Sequence, residues 1–143
     1  MNKKRVLFVC VHNSARSQMA EAFLNRMAGD TCTAESAGLE AGKLNPVVVE
    51  VMKEVGIDIS KNQTTSVHDF YREGRSYDYV ITVCDEASAQ SCPHFPGKAR
   101  RFHWSLTDPS EFTGTSEQIK QETRAVRDQI HGKIEQFFED ICT

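Results

Sequence analysis

The apolar residues of this chain alternate between short unbroken runs and stretches in which they recur every three or four positions. Residues 4–10 (Lys-Arg-Val-Leu-Phe-Val-Cys) form a β-branched and aromatic run with no polar alternation, which predicts a strand buried on both faces. From Arg16 to Ala28, Met19, Phe23 and Met27 recur at every fourth position beside Ala20, Leu24 and Ala28, which predicts a helix with one apolar face. Residues 32–36 are small and predict a second short strand. Asn45-Pro46 then opens a helix: Asn suits the N-cap, and Pro suits the first helical position, where a missing N–H is no loss. Val47, Val48, Val51, Met52 and Val55 give this helix its stripe, and Gly56 ends it.

Residues 77–84 predict a third strand and residues 99–104 a weaker fourth. Thr115-x-x-Gln118 is a capping box, followed by a long helix carrying Ile119, Val126, Ile130, Ile134, Phe137 and Ile141 on one face. Strands alternating with helices predict an α/β fold, a four-stranded parallel sheet with helices on both faces. In such folds ligands sit outside the carboxyl ends of the strands. Cys10 and Cys84 both fall at predicted strand C-termini, which makes them candidates for one shared site.

Size and charge narrow the picture. A chain of 143 residues, spanning 1–143 without repeat or linker, suits one domain. A net charge of −3 with no basic cluster argues against a nucleic-acid surface. Val6 to Val11 after Lys3-Lys4-Arg5 has the outline of a secretory leader, but His12, Asn13, Ser14 and Arg16 interrupt it too early. No stretch approaches the roughly 20 apolar residues of a membrane span. A cytoplasmic monomer is the expectation. Five cysteines, an odd count without a secretion signal, argue against a structural disulfide framework. They are packing residues, metal ligands or reactive thiols, and neither Cys32 nor Cys142 acquires a role from the sequence.

The densest chemistry is Cys10-Val11-His12-Asn13-Ser14-Ala15-Arg16-Ser17, between the first strand and the first helix. A loop in this position turns consecutive backbone N–H groups toward one point, where the helix N-terminus adds positive potential. A tetrahedral oxyanion fits there, cradled by Val11, His12, Asn13, Ser14 and Ala15 and gripped in a fork by Arg16. The same field favours Cys10 as a thiolate nucleophile. Ser17 can donate a hydrogen bond to that sulfur, and the Asn13 side chain can fix the loop's shape.

Together with Cys84-Asp85-Glu86-Ala87, Cys92-Pro93, His103-Trp104-Ser105 and Asp108-Pro109, in this order over nearly the whole chain, the loop resembles the arsenate reductases of the low-molecular-weight protein tyrosine phosphatase superfamily. The resemblance implies that superfamily's fold and a substrate, arsenate, attacked by Cys10. It implies that Asp108, held extended by Pro109, protonates the leaving oxygen, and that Cys84 and Cys92 relay electrons as disulfides. Thioredoxin is the implied external reductant, with glutathione and glutaredoxin the alternative used by other relatives. Ser110 stands where the phosphatases carry an aromatic wall for tyrosyl rings, which favours a bare inorganic anion.

If a helix begins at Glu86, Cys84 and Cys92 stand about 12 Å apart, beyond the roughly 7 Å reach of a disulfide, so oxidation would unwind the segment. Zinc on Cys84, Cys92, His94 and His103 is a competing reading, although the spacing matches no common zinc module. No tightly bound cofactor is expected. The resemblance allows a monovalent cation on Asn13, Glu21, Ser36 and Thr65, but Val67 falls where an acidic ligand would help, and the cation is not expected. Two other functions stay open: a low-molecular-weight phosphatase, and a non-catalytic oxyanion-binding redox sensor.

Overall fold

The computed structural model describes residues 3–84, 90, 92, 93, 95 and 97–142. Strands β1 (Lys4–Cys10), β2 (Cys32–Gly38), β3 (Tyr79–Thr82) and β4 (Arg100–His103) form one sheet in the order β2-β1-β3-β4. All pairs are parallel, with Val6 opposite Ala34 and Tyr79, and Tyr79 opposite Arg100. The helices are α1 (Arg16–Ala28), α2 (Pro46–Lys53), α3 (Val67–Arg72) and α4 (Ser116–Phe137), the last running into a π turn at Phe138–Cys142.

β1 is central because its side chains are apolar on both sides. Val6 and Phe8 enter one cluster, with Met19, Phe23 and Leu24 of α1, Val48 and Met52 of α2, and Ile130 and Ile134 of α4. Leu7 and Val9 enter the other, with Val67 and Phe70 of α3, Val80, Cys92 and Phe95. Among the described residues helices cover both faces: α1, α2 and α4 share one side, and α3 lies on the other. α3 has no counterpart in the sequence reading, because six residues are too few to show a helical period.

Local signals behave as their chemistry requires. Asn45 Oδ1 accepts from the N–H groups of Val47 and Val48. Gly56, at φ 81°, closes α2 as Gly56 N–H returns to Lys53 O and Ile57 N–H to Met52 O. The Thr115 capping box is complete, with Gln118 N–H on Thr115 Oγ1 at 3.1 Å and Thr115 N–H on Gln118 Oε1 at 2.9 Å. The strand boundaries differ from those the sequence predicts. β2 runs on to Gly38, opposite Cys10. β3 is confined to Tyr79–Thr82, because the edge strand β4 offers it only four partners, Arg100 to His103. Cys84 thus lies two residues past the strand. The helix expected from Glu86 lies outside the described residues. Cys32, the first residue of β2, is disulfide-bonded, contrary to what the odd cysteine count suggests, whereas Cys10, Cys84 and Cys92 are free. Among the described residues no helix is long and apolar enough to cross a membrane.

α4 is fastened to the end of α2 by charge. Glu54 accepts from Arg124 at 2.8 Å and Arg127 at 2.9 Å, and Arg127 also donates to Val51 O at 2.9 Å. These partners, Arg124 first, hold the Glu54 carboxyl down to about 2 from an ordinary 4.5. A carboxylate with a depressed folded pKa contributes stability that is present above its unfolded value and lost as pH falls through the folded one. The stability advantage of the native chain over Glu54→Gln should therefore be full at pH 6 and shrink between about pH 4.5 and 2, as measured by urea unfolding across that range.

Candidate active site

The site begins with the carbonyls of the Cys10–Ser14 loop, each of which is held by its surroundings. Cys10 O accepts from Leu39 N–H, Val11 O from Glu40 N–H, His12 O from Gly42 N–H and Ser14 O from Asn45 N–H, all at 2.9–3.0 Å. Asn13 O accepts from the Gln18 side-chain amide at 3.1 Å. In a planar trans peptide the N–H points opposite its carbonyl. With these five carbonyls turned outward, the N–H groups of Val11, His12, Asn13, Ser14 and Ala15 are turned inward, around the sulfur of Cys10. Asn13 N–H lies 3.1 Å from that sulfur. No side chain caps α1, so its first N–H groups add to the same positive concavity.

Two backbone positions make this geometry attainable. Asn13 sits at φ 56°, in the left-handed region that Asn tolerates better than most residues. Gly38 lets β2 pass under the loop: a Cβ there would stand 2.6 Å from Asn13 N and 2.7 Å from His12 C.

The Asn13 side chain sets a proton direction. Its Oδ1 accepts from Thr65 N–H at 3.0 Å, and a backbone amide can only donate, so the orientation of the carboxamide is fixed. Its Nδ2 must then donate to Ser17 Oγ at 2.8 Å. With a lone pair of Ser17 so engaged, its hydroxyl proton is directed to Cys10 Sγ, 2.8 Å away. Gln18, fully buried, ties this arrangement to the next loop by donating to Asn13 Oδ1 and Gln63 O and accepting from Asn62 Nδ2. The sequence reading missed Gln18, and it named Thr65 only as a possible cation ligand, not for its backbone N–H. A polar residue inside the apolar stripe of α1 was the available signal for the first; nothing local marks a backbone N–H such as that of Thr65.

Arg16 and Asp108 face each other across the mouth. Arg16 is buried, with Nη1 donating to Leu106 O at 3.0 Å and Nη2 standing 3.5 Å from Asp108 Oδ2. Asp108 is extended (φ −77°, ψ 115°), as its Pro109 neighbour requires, and its Oδ1 accepts from Ser110 N–H. One carboxylate oxygen is thus occupied by the turn and the other aimed at the site. His12 pairs at 3.0 Å with Glu40 on the rim. Cys84 is fully buried in the same apolar cluster as Cys10, whereas Cys92 lies in the cluster on the opposite face of the sheet. The fold therefore gathers Cys10, Asn13, Arg16, Ser17, Asp108 and Cys84, and sets Cys92 apart.

Beside the loop is a polar cavity of about 250 Å³ lined by Gln18, Glu21, Ser36, Asn62, Gln63 and Thr65. It corresponds to the cation site that the resemblance allows. The Asn13 side-chain oxygen already accepts two N–H groups, and Val67 is buried in the apolar cluster below α3. Burial pushes the Glu21 carboxyl up to about 7, with Glu35 adding to the rise and hydrogen bonds from Ser36 opposing it.

A thiol at the end of a central parallel strand, cupped by inward N–H groups with an Arg and a carboxylate opposite, is the arrangement of an oxyanion-handling site of the low-molecular-weight phosphatase type. Residues 5–143 match the family described as low molecular weight phosphotyrosine protein phosphatase. An arsenate reductase of Bacillus subtilis is 42% identical over 139 residues, covering 97% of this chain and 98% of that protein. Among solved structures, an arsenate reductase in the oxidized state superimposes with a TM-score of 0.80 at 31% identity, covering 96% of this chain and 98% of the other. The Corynebacterium glutamicum thioredoxin-dependent arsenate reductase superimposes with a TM-score of 0.72 at 34% identity, covering 97% of this chain and 62% of the other. The chain belongs to the low molecular weight phosphotyrosine protein phosphatase family and, within it, to the arsenate reductases.

The Glu21 assignment has a measurable sign. A carboxyl whose folded pKa is raised binds protons more tightly when folded, so it lowers stability as pH climbs from about 4.5 through about 7. Glu21→Gln should therefore match the native chain near pH 4 and gain melting temperature relative to it at pH 8.

Proposed function

We propose that this protein reduces arsenate to arsenite through a covalent adduct on Cys10 and a disulfide relay through Cys84 and Cys92, recycled in the cytoplasm by thioredoxin. The observation that carries the reading is the set of five outward-held carbonyls, which leaves the loop an oxyanion cradle with a nucleophilic sulfur at its centre.

The steps follow from the geometry. Arsenate enters the cradle, its oxygens taken by the N–H groups of Val11 to Ala15 and by the Arg16 fork. The Cys10 thiolate, held by Ser17 and Asn13 N–H, attacks arsenic, and Asp108 supplies the proton with which an oxygen departs as water. Cys84 then attacks the sulfur of Cys10. The sulfur–arsenic bond breaks with its electron pair remaining on arsenic, so arsenic is reduced by two electrons and leaves as arsenite while the Cys10–Cys84 disulfide forms. Cys92 attacks Cys84 and returns Cys10 as a thiolate. The Cys84–Cys92 disulfide is then reduced by an external dithiol through exchange. Since Cys92 begins on the other face of the sheet, this second exchange requires the chain between Cys84 and Cys92 to change path.

Arsenate-dependent NADPH oxidation, with thioredoxin and thioredoxin reductase supplied and p-nitrophenyl phosphate hydrolysis run in parallel, tests the proposal. Consumption well above the hydrolysis rate is expected. Cys10→Ser should abolish it. Cys92→Ser should complete about one turnover per chain and accumulate a Cys10–Cys84 disulfide detectable by mass spectrometry. Activity with glutathione and glutaredoxin alone would reassign the reductant. Brisk hydrolysis without any arsenate dependence would make the protein a phosphatase.

A further inference from the structure

Arg101 is not part of the oxyanion site, yet the sheet register places it on the same side as Cys92. Leu7, Val80 and Arg101 are consecutive partners across β1, β3 and β4. Aligned neighbours present their side chains on one face, and both Leu7 and Val80 belong to the cluster that contains Cys92. Phe102 packs on the other face. Cys92 itself is buried, its thiol donating weakly to Pro93 O at 3.6 Å, and the Arg101 guanidinium acts on it electrostatically, opposing the rise that burial causes. When the thiol loses its proton the Pro93 carbonyl becomes a repulsive neighbour, and the guanidinium remains as the favourable one.

We propose that Arg101 is a positioning residue of the second thiol exchange, its guanidinium steadying the Cys92 sulfur as the attacking anion. The inference rests on the relay proposed above. In that step the Cys92 proton goes to solvent, a Cys84–Cys92 bond forms, the Cys10–Cys84 bond breaks, and the electron pair of the broken bond leaves on Cys10. There is no net oxidation, so no further reactant is required.

Among the described residues, the other groups around Cys92 do not supply this charge. From β1, β2 and α3 its cluster includes Leu7, Val9, Ala37, Val67 and Phe70. Tyr77 is held neutral, because burial pushes its phenol well above the usual range. On α3, His68 is exposed and Asp69 pairs with Arg72. Arg75 lies over the Phe70 ring and pairs with Glu35 and Glu73. His103, on the same face of β4, is bound to Thr82 Oγ1 at 2.7 Å and Ser105 Oγ at 3.0 Å. Burial pushes the Cys92 thiol up, and the Arg101 charge acts against that rise.

The test is the thiolate absorbance at 240 nm as a function of pH, with the Cys92 contribution taken as the difference between each chain and its Cys92→Ser counterpart. Arg101→Ala should move the Cys92 midpoint upward by about one pH unit, and Arg101→Lys should restore most of the loss, since charge is kept and only the planar fork is removed. The conversion of Cys10–Cys84 to Cys84–Cys92, followed by acid quench and mass spectrometry, carries a second signature. A tenfold smaller thiolate fraction is partly offset by a nucleophile roughly threefold stronger, so Arg101→Ala should be about threefold slower at pH 7 and faster than the native chain above both midpoints. A loosened fold would not produce such a crossing. An unchanged Cys92 titration overturns the role of Arg101 whatever the arsenate assay gives. A shifted titration in a protein whose Cys92→Ser variant still turns over repeatedly overturns the relay, and with it the positioning role.

Discussion

Everything at the site depends on where five backbone carbonyls point. A loop of the Cys10–Ser14 kind gathers N–H groups only if its carbonyls find donors elsewhere, because an unpaired buried carbonyl is costly. Those donors are Leu39, Glu40, Gly42 and Asn45, from the chain leaving β2, and the side chain of Gln18. The oxyanion cradle is thus built from outside: the segment between β2 and α2 zips along the loop and forces the N–H groups toward Cys10. Gly38 is the position at which this close approach would otherwise fail.

A second layer aims the nucleophile. The Thr65 N–H orients Asn13, Asn13 orients Ser17, and the Ser17 proton is aimed at Cys10. A loop more than fifty residues away in sequence therefore sets the direction of one hydrogen bond at the reacting sulfur. Burial of polar groups in this layer is tolerable because Asn13 and Gln18 are multiply bonded; at Glu21, beside them, the same cost appears as a carboxyl pushed up to about 7.

The sheet divides the chemistry. The face bearing α1, α2 and α4 holds Cys10 and Cys84 in the larger core, where three helices fix them. The face bearing α3 holds Cys92, which among the described residues clusters with Leu7, Val9, Val67, Phe70 and Val80.

The sequence by itself determined the elements whose signals are local. The buried run of β1, the four-residue spacing of α1, Asn45-Pro46, Gly56 and the Thr115 capping box each act through neighbours within a few positions, so their effects are readable in order along the chain. Cys10, Arg16 and Ser17 were legible for the same reason, since one strand, one loop and one helix carry all three. The tertiary structure alone decided which carbonyls are turned outward, that Thr65 and Gln18 complete the site, that β3 stops before Cys84, and that Cys92 and Arg101 share a face. Each depends on register between strands or on contacts between distant loops, and these are fixed by how the two apolar faces of the sheet close rather than by any neighbour along the chain.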